Sequence, residues 1–266
     1  MEQSQLESLH AWFDSYVRDF CDTDPEGLKN IRMKIEHSRR VCHAANSISS
    51  GEGLSAEETR IAAAVGLLHD VGRFPQYRRW RTFRDSESDN HARLSVEVIR
   101  EQRLLAELPP AERLLIEEAV RFHNVLTVPV RLKSPSPLFL RMIRDADKLD
   151  IWRVFLDFFA APDDERASAA LLGFPDRPTV SPACLAALSG RKIVRLDTVN
   201  SVNDFKLLLI SWVFDLNFVT SYRLLQCSGC LHALESTLPD QDDIRGAVAA
   251  ALEYVAIRSA GSPSTT

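Results

Sequence analysis

Apolar residues recur at intervals of three and four along nearly the whole chain, and strand-like alternation is almost absent, so the pattern predicts helix as the dominant state. A first helix is expected over about 5–21. Thr23-Asp24-Pro25 opens a second, in which Leu28, Ile31, Ile35, Val41 and Ala45 carry the buried stripe and which holds His37. Ser55 followed by Glu58 is a capping-box signature, and Ile61, Val65 and Leu68 then form a stripe ending at His69-Asp70, with Gly72 as the stop. Residues 73–90 are polar and arginine-rich and read as loop with one short helix. Asp89 or Asn90 caps a helix running to about Leu105, which puts His91 in its first turn. Pro109-Pro110 precedes a helix over 111–122, closed by His123-Asn124.

A long helix over about 138–160 passes through Asp145-Ala146-Asp147-Lys148-Leu149-Asp150, its apolar side marked by Phe139, Met142, Ile143, Ala146, Leu149 and Val154. Carboxylates beside such a stripe are costly unless paired or metal-bound. A proline-rich connection over 174–182 leads to a helix over about 203–225 and a last helix over 242–259. The expected architecture is all-α: a helical bundle over 24–160, a helical C-terminal extension over 161–259 packed on it, and a small, polar, disordered tail over 260–266.

Composition narrows the picture. The 266 residues are 45% hydrophobic and 26% charged, enough for one sizeable core or two small ones, and this excludes disordered, collagen-like and repeat-array classes. No stretch approaches a membrane span, and the polar start lacks a secretory signal, so a cytoplasmic protein without membrane contact is expected. A net charge of −5 argues against a general grip on nucleic acid. The five cysteines are odd in number and scattered, which reads as reduced thiols. Cys227 and Cys230, with His232 nearby, read as small apolar residues at i and i+3 on a helix over 222–234.

The chemistry lies elsewhere. His37, His69, His91 and His123 all fall at helix ends or beside a buried stripe, accompanied by Asp70 and Asp147. Imidazole and carboxylate without thiolate suit borderline or harder divalent ions such as iron, manganese, nickel, cobalt or zinc. Taken singly, each histidine also fits the role of a helix-end donor or a satisfied core residue.

The order His37, then His69-Asp70 in Leu67-Leu68-His69-Asp70-Val71-Gly72-Arg73, then Asp147 in Asp145-Ala146-Asp147-Lys148, resembles the HD-domain superfamily of metal-dependent phosphohydrolases. The resemblance covers roughly 32–155 and implies a helical bundle whose ligands converge from different helices. It assigns His37, His69, Asp70 and Asp147 as core metal ligands, with Asp145 as the rival of Asp147. His91 and His123 match the subset of the superfamily that binds two metals. The implied site is dinuclear: one ion on His37, His69, Asp70 and Asp147, the other on Asp70, His91 and His123, with Asp70 as the bridge. The cofactors implied are one or two divalent ions among iron, manganese, nickel, cobalt, zinc and magnesium.

By the same resemblance, a metal-activated hydroxide attacks a phosphate ester of a nucleotide or small phosphorylated metabolite. The candidate catalytic residues are Asp70, the bridge, with Lys148 and Arg73 as phosphate contacts. Asp150, one turn beyond Asp147, is placed to orient a ligand. The run Arg73, Arg78, Arg79, Arg81 and Arg84, interleaved with Phe74, Tyr77, Trp80 and Phe83, reads either as a mobile rim gripping a substrate or as a solvated segment with its aromatics packed inward. The Gly-Tyr-Pro signature of the cyclic-dinucleotide branch is missing after His69-Asp70, so that branch ranks low. Two alternatives use the same residues: a diiron oxygenase of the HD type, and a non-catalytic nucleotide-binding sensor. The helix through Asp204 to Asp215 reads as core, as a cap on the site or as a face for a homodimer.

Overall fold

Polar caps written into the sequence set the helix starts at Pro25, Ala56, His91 and Val202. In the structure, a computed structural model that describes residues 1–162 and 174–261, every regular element among the described residues is helical, and the fold is all-α. The first helix, α1 (Gln3–Arg18), starts and ends a few residues earlier than its apolar pattern suggests. The Asp24 carboxylate accepts the Gly27 amide at 2.8 Å and Pro25 takes the first helical position of α2 (Pro25–Gly51). Ser55 and Glu58 exchange bonds in the expected capping box at the start of α3 (Ala56–Leu68).

Helix α3 is buried over its whole length from Ile61 to Leu68, as a helix apolar on all sides must be. Full burial of Leu67 and Leu68 contributes about 1.5–3 kcal/mol each. It packs along α2 through Gly66, where a Cβ would stand 2.8 Å from the Cα of Cys42 and 2.9 Å from the Val41 carbonyl oxygen. Any larger residue would push α3 off α2.

The arginine-rich stretch holds α4 (Arg73–Trp80), ended by Arg81 in the left-handed region at φ 57°, and a short 3-10 turn at Asp85–Glu87. Asn90, rather than Asp89, caps α5 (His91–Glu101) by accepting the Arg93 amide at 2.9 Å. Helices α6 (Pro110–Phe122) and α7 (Ser136–Ala160) follow, each starting a residue or two before its expected position. Gly72 is not a left-handed stop, since its φ is −69°. Its value is space: a Cβ there would lie 2.5 Å from the His91 carbonyl oxygen and 2.4 Å from the Ser95 amide.

The chain divides into two compact units, one built on Met1–Val154 and the other on Phe155–Phe159 with the described residues from Phe174 on. The first therefore includes α1. The second contains α8 (Pro182–Ser189), α9 (Val202–Ser211), α10 (Val219–Ser228), α11 (Cys230–Glu235) and α12 (Asp242–Ser259). Its core gathers Leu207, Leu209, Ile210, Tyr222, Leu234 and Val248.

Two expectations fail here. The helix expected over 203–225 is broken by a 3-10 turn at Trp212–Asp215 and an extended Leu216, and the Tyr222 hydroxyl fixes the break by donating to the Val213 and Leu216 carbonyls. The helix expected over 222–234 is interrupted at Gly229, whose φ of 67° starts a new direction, so Cys227 and Cys230 lie on different helices. The expected tail at 260–266 falls, beyond residue 261, outside the described residues. Among the described residues no helix is long and apolar enough to cross a membrane.

Candidate metal centre

Five helices deliver the polar cluster of the first unit. His37 comes from the middle of α2, His69 and Asp70 from the end of α3, His91 from the first position of α5 and Asp147 from α7. His123 is the residue that closes α6. The two close approaches already described, Gly66 against α2 and Gly72 against α5, bring α3 and its terminal His-Asp pair to both neighbours.

The four imidazoles share one orientation. His37 Nδ1 lies 2.7 Å from Asp150 Oδ2, His69 Nδ1 2.8 Å from the Gly66 carbonyl, His91 Nδ1 2.7 Å from Asp85 Oδ2, and His123 Nδ1 2.7 Å from the Val120 carbonyl. Carbonyls and ionised carboxylates only accept, so in each ring Nδ1 carries a proton, and Nε2 presents a lone pair whenever the ring is neutral. Those lone pairs turn inward. His91 Nε2 and His123 Nε2 are 3.0 Å apart, a repulsive pair unless a cation sits between or beside them.

Asp70 stands at the centre. Its Oδ2 faces His37 Nε2 at 3.6 Å and His69 Nε2 at 3.7 Å, while its Oδ1 faces His91 Nε2 at 3.5 Å and His123 Nε2 at 3.8 Å. Asp147 Oδ1 lies 3.2 Å from His37 Nε2 and 3.7 Å from His69 Nε2. Three triplets have ligand atoms close enough to hold an ion: His37, His69 and Asp70; His69, His123 and Asp147; Asp70, His91 and His123. Asp145 is fully buried but belongs to none of these triplets, so the geometry selects Asp147 over its rival.

Three ligand atoms of the cluster are buried without hydrogen bonds. His37 Nε2, His69 Nε2 and Asp70 Oδ1 are closed off from solvent and have no hydrogen-bond partner. Orphaned buried acceptors cost stability unless a cation completes them, and the donor set, four imidazoles and two carboxylates without thiolate, fits a divalent metal.

The electrostatics follow from the same packing. Burial holds the His69, His91 and His123 imidazoles below the ordinary histidine value, His91 and His123 down to about 4. His37 is raised, because Asp147 and Asp150 outweigh its burial and the nearby Lys34. Burial pushes against ionisation of Asp70, but Lys34, His69, Arg73 and His91 keep its carboxyl well below the usual range. Asp147 is likewise depressed against its burial, chiefly by His37. Asp85 falls to about 2, where its bond with His91 and the Arg73 charge overcome burial.

Around the cluster, the structure supplies partners that the spacing did not point to. Asp85 holds His91 and receives Arg73 at 3.1 Å, Gln76 at 3.0 Å and Asn124 at 3.3 Å. Lys34 Nζ donates to Asp70 Oδ2 at 2.7 Å. Lys34 lies one helical turn before His37, a same-face position that the sequence shows; Asp85 depends on a fold-back that it does not. Asp150, expected as an orienting residue, holds His37 and is held by Arg40 Nε at 2.5 Å.

Arg73 is not free for a substrate: it reaches the Phe83 carbonyl at 2.5 Å, Gln76 at 2.9 Å and Asp85, with its Nε 3.4 Å from Asp70 Oδ1. Lys148 follows Asp147 on α7 and is half-buried. In the arginine run, Phe74, Tyr77 and Phe83 are buried. Arg78 stacks on Phe20 and bonds the Asp19 carbonyl, and Arg81 stacks on Tyr77 and pairs with Asp24. This matches the inward-packed reading of the run. Cys227, Cys230 and His232 belong to none of the candidate metal triplets among the described residues.

The class that the fold and site define is an all-helical unit with a buried histidine and aspartate cluster able to hold a divalent ion. Residues 35–152 match the family model of the HD domain, a domain typical of metal-dependent phosphohydrolases. The match spans all the cluster residues but Lys34. No curated protein and no solved structure matches the chain.

Proposed function

We propose that the protein is a metal-dependent phosphohydrolase acting on a phosphate ester of a nucleotide or small phosphorylated metabolite, with two divalent ions sharing Asp70. The observation that carries the reading is the division of Asp70, one oxygen toward His37 and His69 and the other toward His91 and His123. His37, His69, Asp70 and Asp147 would hold one ion, and Asp70, His91 and His123 the other. When bound, two such ions lower the pKa of a water between them and neutralise charge developing on phosphate oxygens.

The residues of the chain supply the rest. Asp150 and Asp85 lock the His37 and His91 rings in the tautomer that turns Nε2 to the centre, and the Gly66 and Val120 carbonyls do the same for His69 and His123. Arg73, tied on several sides, fixes Asp85 and adds positive charge on the Oδ1 side of Asp70. Lys148, next to Asp147, is the candidate for a phosphate contact.

The test is release of product from p-nitrophenyl phosphate, bis(p-nitrophenyl) phosphate and a panel of nucleotides, with protein stripped by chelator and reloaded with each divalent metal in turn. Turnover that needs the metal and is lost in Asp70→Asn supports the reading. A fully loaded protein that cleaves no ester contradicts it. The same nitrogen and oxygen donors suit iron, so two irons per chain with oxygen-dependent turnover would transfer the site to an oxygenase. Nucleotide binding without turnover would make it a sensor.

A further inference from the structure

Two cations already stand against Asp70, and they are held differently. Arg73 lies beside Oδ1 and is tied to the Phe83 carbonyl, Gln76 and Asp85. Lys34 lies on Oδ2 at 2.7 Å and also faces the Phe83 ring, 5.6 Å from Nζ. One cation is braced; the other rests on the very oxygen that His37 and His69 face. The Lys34 side chain is also 15% exposed, against 0–7% for the four imidazoles, so it stands toward the open side of the cluster with Asp147 at 21%.

An ammonium donating at 2.7 Å occupies the oxygen that an ion on His37, His69 and Asp70 must take, and it repels that ion at close range. Ion and ammonium therefore compete for Oδ2. Displaced, Lys34 keeps its root one turn before His37, and its flexible four-carbon stem leaves the charge at the mouth of the site. The partner that best satisfies a compact ammonium beside a metal centre is a phosphate dianion, through a charge-assisted hydrogen bond.

We propose that Lys34 is an internal counter-cation that leaves Asp70 when the metal binds and takes up the phosphate of the substrate, so that metal loading creates the anion site. The proposal rests on the phosphohydrolase reading and adds its substrate-binding residue. It also couples the two events: metal tightens anion binding, and by reciprocity the anion tightens metal binding.

The experiment measures manganese binding to stripped protein, and inorganic phosphate binding to loaded protein, both by titration calorimetry, for the parent, Lys34→Met and Lys34→Arg. With the competing charge gone, Lys34→Met is expected to bind manganese about tenfold more tightly. With the anion partner gone, it is expected to bind phosphate about tenfold or more weakly, while Lys34→Arg restores phosphate binding. Opposite changes in the two affinities are the signature. Two unchanged affinities, or a loss of both, would overturn the proposal, because a merely structural lysine weakens both. Lys34→Gln repeats the comparison if Lys34→Met does not fold. A parent that cleaves esters while Lys34→Met keeps its phosphate affinity sinks this inference alone; a loaded parent that neither cleaves esters nor binds phosphate sinks the phosphohydrolase reading itself.

Discussion

Asp70 in the first unit and Asp204 in the second are both closed off from solvent, 2% and 1% exposed, yet their surroundings differ in kind. Asp204 accepts the Ser181 amide and hydroxyl at 2.6 Å each and the Asn200 amide at 2.9 Å, so its carboxylate is fully dressed by neutral donors. These bonds overcome its burial and lower its pKa. Asp70 has the Lys34 ammonium on Oδ2, the Arg73 Nε 3.4 Å from an Oδ1 that accepts no hydrogen bond, and the Nε2 atoms of four imidazoles around it. Burial alone therefore says little about function. A buried carboxylate whose lone pairs face donors holds a fold together, and one whose lone pairs face other lone pairs is a seat for a cation.

The sharpest way to break this comparison is to neutralise both. Asp70→Asn is expected to abolish metal binding and to lower turnover by about a thousandfold or more, with the unfolding midpoint of the metal-free protein close to the parent's. Asp204→Ala is expected to cost about 1–3 kcal/mol in denaturant unfolding, because it strands the part-buried Ser181 amide and hydroxyl and the Asn200 amide, while metal content stays at the parent level. Metal loss in Asp204→Ala with unchanged stability would invert the assignment.

Next in size are the carboxylates behind the rings. Asp150→Asn and Asp85→Asn should each weaken metal affinity about 10–100-fold, read by competition with a fluorescent chelator. Equal affinity in both variants and the parent would mean that the backbone packing alone orients His37 and His91.

The smallest expected effect is on pH dependence in the absence of metal. His91 and His123 take up protons near 4 when folded, and His69 is shifted the same way, whereas unfolded histidine titrates near 6.5. Between those values the unfolded chain binds more protons, so stability falls as pH is lowered through about 6.5 toward 4. His37 is shifted upward, and its contribution, present below about 6.5 and lost as pH rises through its folded value, opposes theirs. Urea midpoints should therefore drop from pH 7.5 to pH 5; a flat or rising profile would contradict the burial of neutral imidazoles.

Much of this was legible along the chain, for physical reasons. Caps are local, so Asp24-Pro25, Ser55 with Glu58, and Asn90 placed helix starts, and helix ends placed His69, His91 and His123 at positions where side chains can converge. The residue order carried the resemblance to the HD pattern, and the fold brings those same residues together. What stayed hidden depends on contacts between distant segments. Asp85 meets His91 only because a 3-10 turn folds back, and Gly72 matters because α5 passes beside it, not because a helix must stop. The break near Trp212 needs the Tyr222 hydroxyl, which no helical period announces. Lys34 was readable as a same-face neighbour of His37, but its place on Asp70 was not.

The central claim, that Asp70 joins two cation seats, is tested most directly by metal content per chain, determined by elemental analysis of protein purified without chelator or nickel affinity, alongside His91→Ala and His123→Ala. The account predicts two ions in the parent and about one in either variant, with the remaining ion on His37, His69, Asp70 and Asp147. A single ion in the parent that neither substitution disturbs would contradict it.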